Sequence, residues 1–331
     1  MKDLPGTALL GPLAAMVIVA LLVALTTPRF LEAGNLSNLV LQVSIVALVG
    51  IGSTLVIFSG GIDLSPGSAI ALLTMVFAVM VKLMGVDFWL ALALTFALGA
   101  MLGAVNGFVT AYLRIPSFIT TLAALSAFKG LAFLFNSGSP VFQVSPLLEP
   151  IFYGRVLGLP LPLVYVALAF AAAHWLMRYA RLGRCIYAVG GNPRAAHLSG
   201  IDVRRTQLLA FTIAGLVTAA GAILMAARLN SGSPNYGAGL ELQAIAAAVI
   251  GGASLAGGRG HVLATLLGAL TITIVQNGLN LNGVPSPLQS IIVGVIIVIA
   301  VGIDMWRVEL GRAFGRLLPA RASTPIHKEG A

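Results

Sequence analysis

The run LSNLVLQVSIVALVGIGSTLVIF, Leu36 to Phe58, breaks at SGGIDLSPGS, Ser59 to Ser68, and resumes as AIALLTMVFAVMVKL, Ala69 to Leu83. At about 1.5 Å per residue the first run makes a helix of roughly 35 Å, enough to cross a hydrocarbon core of about 30 Å. It contains no charged residue. Paired glycines release the chain from a helix, Asp63 or Ser65 can cap the next one, and Pro66 suits its first turn. Two apolar helices joined by a polar break are the unit from which a polytopic membrane protein is written; at its simplest, the break is a sharp turn between helices.

The rest of the chain repeats this pattern. Of 331 residues, 59% are hydrophobic and only 9% charged, and the mean hydropathy is +1.01. A soluble domain carries roughly a quarter charged residues and a disordered chain is poor in apolar ones, so both classes are excluded. Further apolar segments are expected at Pro12 to Thr27, Ser65 to Leu83, Phe88 to Tyr112, Phe118 to Phe135, Leu159 to Met177, Leu208 to Ala227, Leu242 to Ala256, Val262 to Leu281 and Leu288 to Asp304. With Leu36 to Phe58 the sequence predicts about ten transmembrane helices, an all-α polytopic bundle forming a single domain over residues 1–331. The first segment lacks a small-x-small cleavage site and is read as a retained helix. The segment from Leu242 is short and glycine-rich.

Orientation follows from the basic residues, which concentrate in cytoplasmic loops. With the N-terminus inside, fourteen Lys and Arg fall in the cytoplasm, among them Arg178, Arg181, Arg184, Arg194, Arg204 and Arg205. Four, Arg29, Lys82, Arg155 and Arg228, fall outside, and Lys129 lies within a span. Deleting the short segment from Leu242 would send Arg259 and the basic tail, residues 305–331, to the outside. Both termini are therefore expected in the cytoplasm, and the net charge of +9 reads as topology, since no long basic run supports nucleic-acid binding. The single cysteine, Cys185, forms no intramolecular disulfide and no metal cluster; it is expected to be passive.

Chemistry-bearing residues within spans are few. Asp63 stands at the cytoplasmic end of the second span, Glu241 begins the eighth, His174 lies near a helix end, and Lys129 is roughly 18 Å into the fifth. Lys129 can serve helix packing or a solute pathway. No mid-span carboxylate of the kind that binds a coupling ion, no nucleophile and base, no metal-ligand set and no GxxxxGK[ST] phosphate loop occurs. No catalytic residue and no metal site are assigned. Gly99, Gly103 and Gly107 lie on one ridge of the fourth span, the signature of a close helix contact. Gly60-Gly61-Ile62-Asp63-Leu64 recurs loosely as Gly251-Gly252-Ala253-Ser254-Leu255, too weakly to establish a duplication.

Residues 178–207 make the largest polar interruption. Within it Asn192 reads as an N-cap, Pro193 as the first helical residue, Arg194 to Ser199 as the body and Gly200 as the stop. A helix about 10 Å long is too short to stand alone in water and is expected to dock on something.

The runs VIFSGGIDLSPGS (Val56 to Ser68), LRIPSFITTLAALSAFKGLAF (Leu113 to Phe133), RLGRCIYAVGGNPRAAHLSGI (Arg181 to Ile201) and ARLNSGSPNYGAGLELQAIAAAVIGGASLAGGRG (Ala227 to Gly260) closely resemble the permease subunits of bacterial ribose-type ABC importers. The resemblance covers nearly the whole chain in order. It implies an inner-membrane translocation subunit paired with a second copy or a paralogue, an ABC ATPase docked below, and a periplasmic sugar-binding protein delivering a monosaccharide from above. ATP and Mg would be used by the ATPase, with no cofactor bound by this chain. The coupling region falls on Asn192, Pro193, Arg194, Ala195, Ala196, Gly200 and Ile201, with Ala196 expected in an apolar docking contact. Gly60, Gly61, Asp63 and Ser65 form the turn motif. Gln42, Asn106, Gln276, Asn277 and Asn280 are uncharged polar candidates for the pathway, each equally able to hydrogen-bond between helices. A self-sufficient secondary carrier or channel is the alternative.

Overall fold

The computed structural model describes residues 7–317, with side-chain surroundings for residues 9–302. Helix α1 spans Thr7–Thr26, α2 Ala33–Phe58, α3 Pro66–Ala78 with a π turn continuing it through Val79–Leu83, α4 Phe88–Ala111, α5 Ser117–Leu134, α6 Leu148–Tyr153, α7 Leu161–Tyr179 and α8 Arg181–Gly191. Then follow α9 Pro193–Leu198, α10 Val203–Leu229, α11 Leu240–Ile250, α12 Val262–Leu281 and α13 Ser286–Leu317. Eight helical segments among the described residues are long and apolar enough to cross a membrane, and two shorter apolar helices, Leu240–Ile250 and Ser286–Gly302, accompany them. The bundle is a multi-pass membrane fold.

Helix α2 sits at its centre. From Val43 to Phe58 every side chain is buried, against α10, α11, α12 and α7. A helix apolar all round belongs in an interior, and this one carries no charge to disturb it. By contrast α4 turns Trp89, Leu90, Leu94, Met101, Val105 and Phe108 outward, an apolar face that suits lipid.

The glycine ridge of α4 explains its closest partner. A Cβ at Gly103 would lie against the Phe211 carbonyl oxygen of α10; one at Gly107 would fall 2.9 Å from Leu208 Cα, and one at Gly99 2.7 Å from Ala219 Cβ. Gly215 returns the contact, its own Cβ position meeting Gly103 Cα at 2.9 Å. Helices that approach this closely gain van der Waals contact where lipid provides no hydrophobic drive.

Three expectations are corrected. The eighth span is not a helix over Leu242 to Ala256: α11 covers only Leu240–Ile250. Its eleven residues rise about 16 Å, half a bilayer. The remainder of that crossing is the non-helical stretch 231–239, which runs back along α3: a Cβ at Gly232 would meet Thr74 O, and one at Gly237 would meet Gly67 O. Such backbone is tolerated at membrane depth where protein buries it, and Ser231 to Pro234 are all buried. Second, the polar interruption 178–207 holds two helices, because Arg181–Gly191 forms α8 ahead of the expected short one. Third, α13 continues past Asp304 to Leu317; the rest of the basic tail, 318–331, lies outside the described residues.

Strand β1 (Val141–Phe142) pairs antiparallel with β4 (Ser231–Gly232), and β2 (Arg155–Val156) with β3 (Leu159–Pro160). Together with α6 they close the end of the bundle opposite α8 and α9.

Candidate functional site: the coupling corner and the helix breaks

The sequence Asn192-Pro193-Arg194-Ala195-Ala196-His197-Leu198-Ser199-Gly200-Ile201-Asp202 encodes one short helix and the start of the next. Asn192 Oδ1 accepts from Ala195 N at 3.0 Å, capping α9, and Pro193 occupies its first turn. At the other end Gly200, with φ +79°, donates to His197 O at 3.0 Å while Ile201 N donates to Ala196 O at 3.0 Å. This paired closure needs a left-handed residue, which glycine provides without a Cβ clash. Asp202 Oδ1 then accepts from Arg205 N at 2.9 Å and caps α10.

Most of α9 faces solvent: Asn192, Pro193, Arg194, Ala195 and Gly200 are exposed, Ile201 is half-buried, and Leu198 is 88% exposed. Ala196 is the exception at 4%. Its methyl packs into the chain itself, so it holds the helix in place and is not available to a partner, contrary to the docking contact expected for it. The apolar group offered outward is Leu198, which the sequence reading passed over as helix body. Beside α9 lies a cleft of about 800 Å³ lined by Arg114, Pro193, His197, Ile201 and Arg204 among others.

Helix α8 fastens this corner to the bundle. A Cβ at Gly190 would strike Phe58 O at the end of α2, and Gly258 N donates to that same oxygen at 3.1 Å. Gly60, with φ +83°, sits 3.0 Å from the Cβ position of Gly257. The Tyr187 ring lies 5.0 Å from Phe58, and its hydroxyl donates to Gly260 O at 3.0 Å; burial pushes the pKa of this phenol up to about 12. Three chain segments thus cross at glycines, and α9 hangs from the crossing. Cys185 on α8 is half-buried.

The turn motif follows. Asp63 and Ser65 are buried, at 6% and 3%. Neither side chain caps α3: Asp63 Oδ1 accepts from Ser65 N at 2.9 Å and from Ser65 Oγ at 2.7 Å. Pro66 does open the helix. The backbone of Ile62 is held by α5, donating to Ser117 Oγ at 3.0 Å and accepting from Thr121 Oγ1 at 3.2 Å. Gly61 is buried; a Cβ there would lie 3.1 Å from Val56 Cγ1.

Of the five uncharged polar candidates, Asn106 donates to Ser65 Oγ at 2.9 Å, and Asn277 exchanges two amide bonds of 2.9 and 2.8 Å with Asn35. Both are buried and tie helices together. Asn280 accepts from Gln289 Nε2 at 2.8 Å; Gln42 and Gln276 are half-buried. The structure does not gather these five at one place.

It does bring together two residues that the sequence left apart. Glu241, in the first turn of α11, accepts from Gly239 N at 3.2 Å through Oε1. A Cβ at Gly67, in the first turn of α3, would overlap Glu241 Oε2, so the starts of α3 and α11 abut. Sequence spacing carries no signal for this meeting of Gly67 and Glu241. His174 likewise meets His261, their rings 5.3 Å apart.

Residues 35–301 match the family described as branched-chain amino acid transport system / permease component. The ribose import permease protein RbsC of Escherichia coli (strain K12) is 41% identical over 296 residues, covering 88% of this chain and 92% of the relative. Its counterpart of the same name in Bacillus subtilis (strain 168) is 41% identical over 297 residues, with 89% and 92% covered. The D-allose transport system permease protein AlsC of Escherichia coli (strain K12) is 36% identical over 289 residues, with 87% and 88% covered. No solved structure gives a significant match. Agreement at this level along nearly the whole chain means that it belongs to this permease family, whose members are transport subunits and not themselves enzymes.

Proposed function

We propose that this chain is the translocation subunit of an ATP-driven importer for a monosaccharide, of the ribose type, in a bacterial inner membrane. The observation that carries this reading is the 41% identity to ribose import permeases over 88% of the chain. Two copies, or one with a paralogue, form the pathway between them. An ABC ATPase binds ATP and Mg below, and this chain binds no cofactor of its own. A periplasmic sugar-binding protein delivers the solute to the α6 end.

The coupling corner supports a mechanism. Leu198 and the exposed residues of α9 enter a cleft of the ATPase, with Asn192, Pro193, Gly200 and Ile201 fixing the helix ends. Closure of the ATPases pushes α9; α8 transmits the movement to the end of α2, the Gly60-Gly61 turn and the 257–260 loop, where backbones touch without intervening side chains. Tight packing of this sort passes displacement on in place of absorbing it. The pathway then alternates between inward and outward access. The solute requires only weak hydroxyl partners along the route, and the binding protein sets most of the selectivity.

Reconstitution tests the reading. Vesicles containing this chain, its ATPase and its binding protein should take up ribose only with ATP inside. Uptake by this chain alone, without ATPase or ATP, would show it to be a self-sufficient carrier or channel.

A further inference from the structure

Lys129 is the one charged residue deep within a long apolar helix among the described residues. It is twelve residues into α5, roughly 18 Å from the start of the helix, and its side chain is exposed. Helical side chains lean toward the helix N-terminus, so this one points back into the span and away from the nearer end. At the centre of a span a charge costs about 2.5–3.5 kcal/mol against lipid on insertion scales; Lys129 stands five residues before the end of α5 at Leu134, where part of that cost favours water over hydrocarbon around its ammonium.

The exposed surroundings are mixed: Leu122 and Phe133 flank Lys129 on the same face of α5, at 49% and 41% exposure, together with polar groups. Ser126, one turn earlier on the same face of α5, is exposed, as are Asn235 and Ala238 on the non-helical approach to α11; Glu241 is half-buried. The outward face of α4, in contrast, is apolar from Trp89 to Phe108. The starts of α3 and α11 abut at Gly67 and Glu241, so two helix breaks lie at the same depth. Broken helices meeting inside a membrane are a setting in which transporters hold solute.

We propose that the face formed by α5 around Lys129 and by residues 235–241 lines the water-filled solute pathway, and that the Lys129 and Glu241 side chains form its polar centre, contacting hydroxyl groups of a neutral polyhydroxylated solute. The inference rests on the importer reading above and names the place in this chain where solute passes. An ammonium and a carboxyl group offer donors and acceptors to a sugar in either protonation state of Glu241, so the site does not require an anionic or cationic solute.

The test is cysteine accessibility in vesicles containing the complete transporter, on a Cys185→Ser background that leaves this chain no native thiol. Ser126→Cys, Lys129→Cys and Ala238→Cys should react with a membrane-impermeant, charged methanethiosulfonate reagent, at rates that differ between the ATP-bound and nucleotide-free states. Leu168→Cys, on an exposed apolar face of α7, should stay unreactive. Lys129→Gln should lower maximal uptake about tenfold at saturating sugar-loaded binding protein, the signature of a group acting in translocation rather than delivery. If the three positions are as unreactive as Leu168→Cys in every state, or if Lys129→Gln transports normally, the inference is overturned. Cross-linking of Lys129→Cys between two copies without reagent access would also overturn it, by making the face a dry contact. The background complex is assayed in the same vesicles: lack of ATP-dependent uptake there counts against the importer reading, whereas normal uptake with an unreactive face counts only against this inference.

Discussion

Asn106 on α4 donates its side-chain amide to Ser65 Oγ at 2.9 Å, and that hydroxyl in turn donates to Asp63 Oδ1 at 2.7 Å. The break between α2 and α3 is therefore anchored to a third helix by a buried relay. Ser65→Ala removes the link from both sides, leaving the Asn106 amide and one Asp63 contact unmet. A loss of about 1–3 kcal/mol is expected from stranding buried polar groups. Thermal unfolding of the detergent-solubilised protein checks it, and the Asn106→Ala, Ser65→Ala double variant should lose less than the sum of the two single ones.

The contact between α4 and α10 leaves no room for a side chain at Gly103. Gly103→Val is expected to separate the helices, with a penalty of about 1–3 kcal/mol or more for overpacking and a sharp fall in the yield of folded protein. Gly130 on α5 has nothing within 4 Å of its Cβ position, so Gly130→Ala should be tolerated. Equal yields of the two variants would contradict this account of the glycine ridge.

On α9, exposure separates two roles. Leu198→Asp leaves every internal contact of the helix intact, so folding should persist while sugar-stimulated ATP hydrolysis falls about tenfold or more, as for loss of a buried apolar anchor at an interface. Ala196→Asp places a carboxylate in the chain's own core and should lower the melting temperature even without the ATPase. Measuring ATPase activity and melting on both variants distinguishes them; the reverse assignment would mean that α9 docks through its other face.

His261 caps α12 by accepting from Leu263 N at 3.3 Å through Nδ1, which requires the neutral ring. Burial first, then the charges of His174 and Arg178, hold its pKa below the usual histidine value of 6.5. Between that lowered value and 6.5 the unfolded chain binds more protons than the folded one, so stability falls as pH drops through this window and levels off below it. Melting temperature against pH should show a decline below about 6.5. In His261→Asn, which can still cap, this portion of the decline should vanish.

Much of the chain was legible because its physics is local. Spans such as α2 and α4 are visible in the apolar runs, α9 in the cap and stop residues Asn192, Pro193 and Gly200, and the α4 contact face in the spacing of Gly99, Gly103 and Gly107. Helix α8 was not, since its Arg181, Arg184 and glycines read as loop, and its amphipathic face has meaning only against α7 and α10. The non-helical half of the crossing from 231 to 250 escaped for a related reason. It looks like a polar loop and is stable at depth only because α3 buries it.

Composition and local signals by themselves determined a multi-pass helical bundle, its basic end and its short capped helix, because burial, capping and charge placement depend on near neighbours in the chain. Only the tertiary structure decided which polar residues belong to helix packing and which face an open surface. Asn106 and Asn277 turn inward to partners on other helices, and Ala196 turns inward to the body. Gly67 and Glu241 meet, since long-range pairing depends on how the broken helices α3 and α11 come together, a relation no local pattern records.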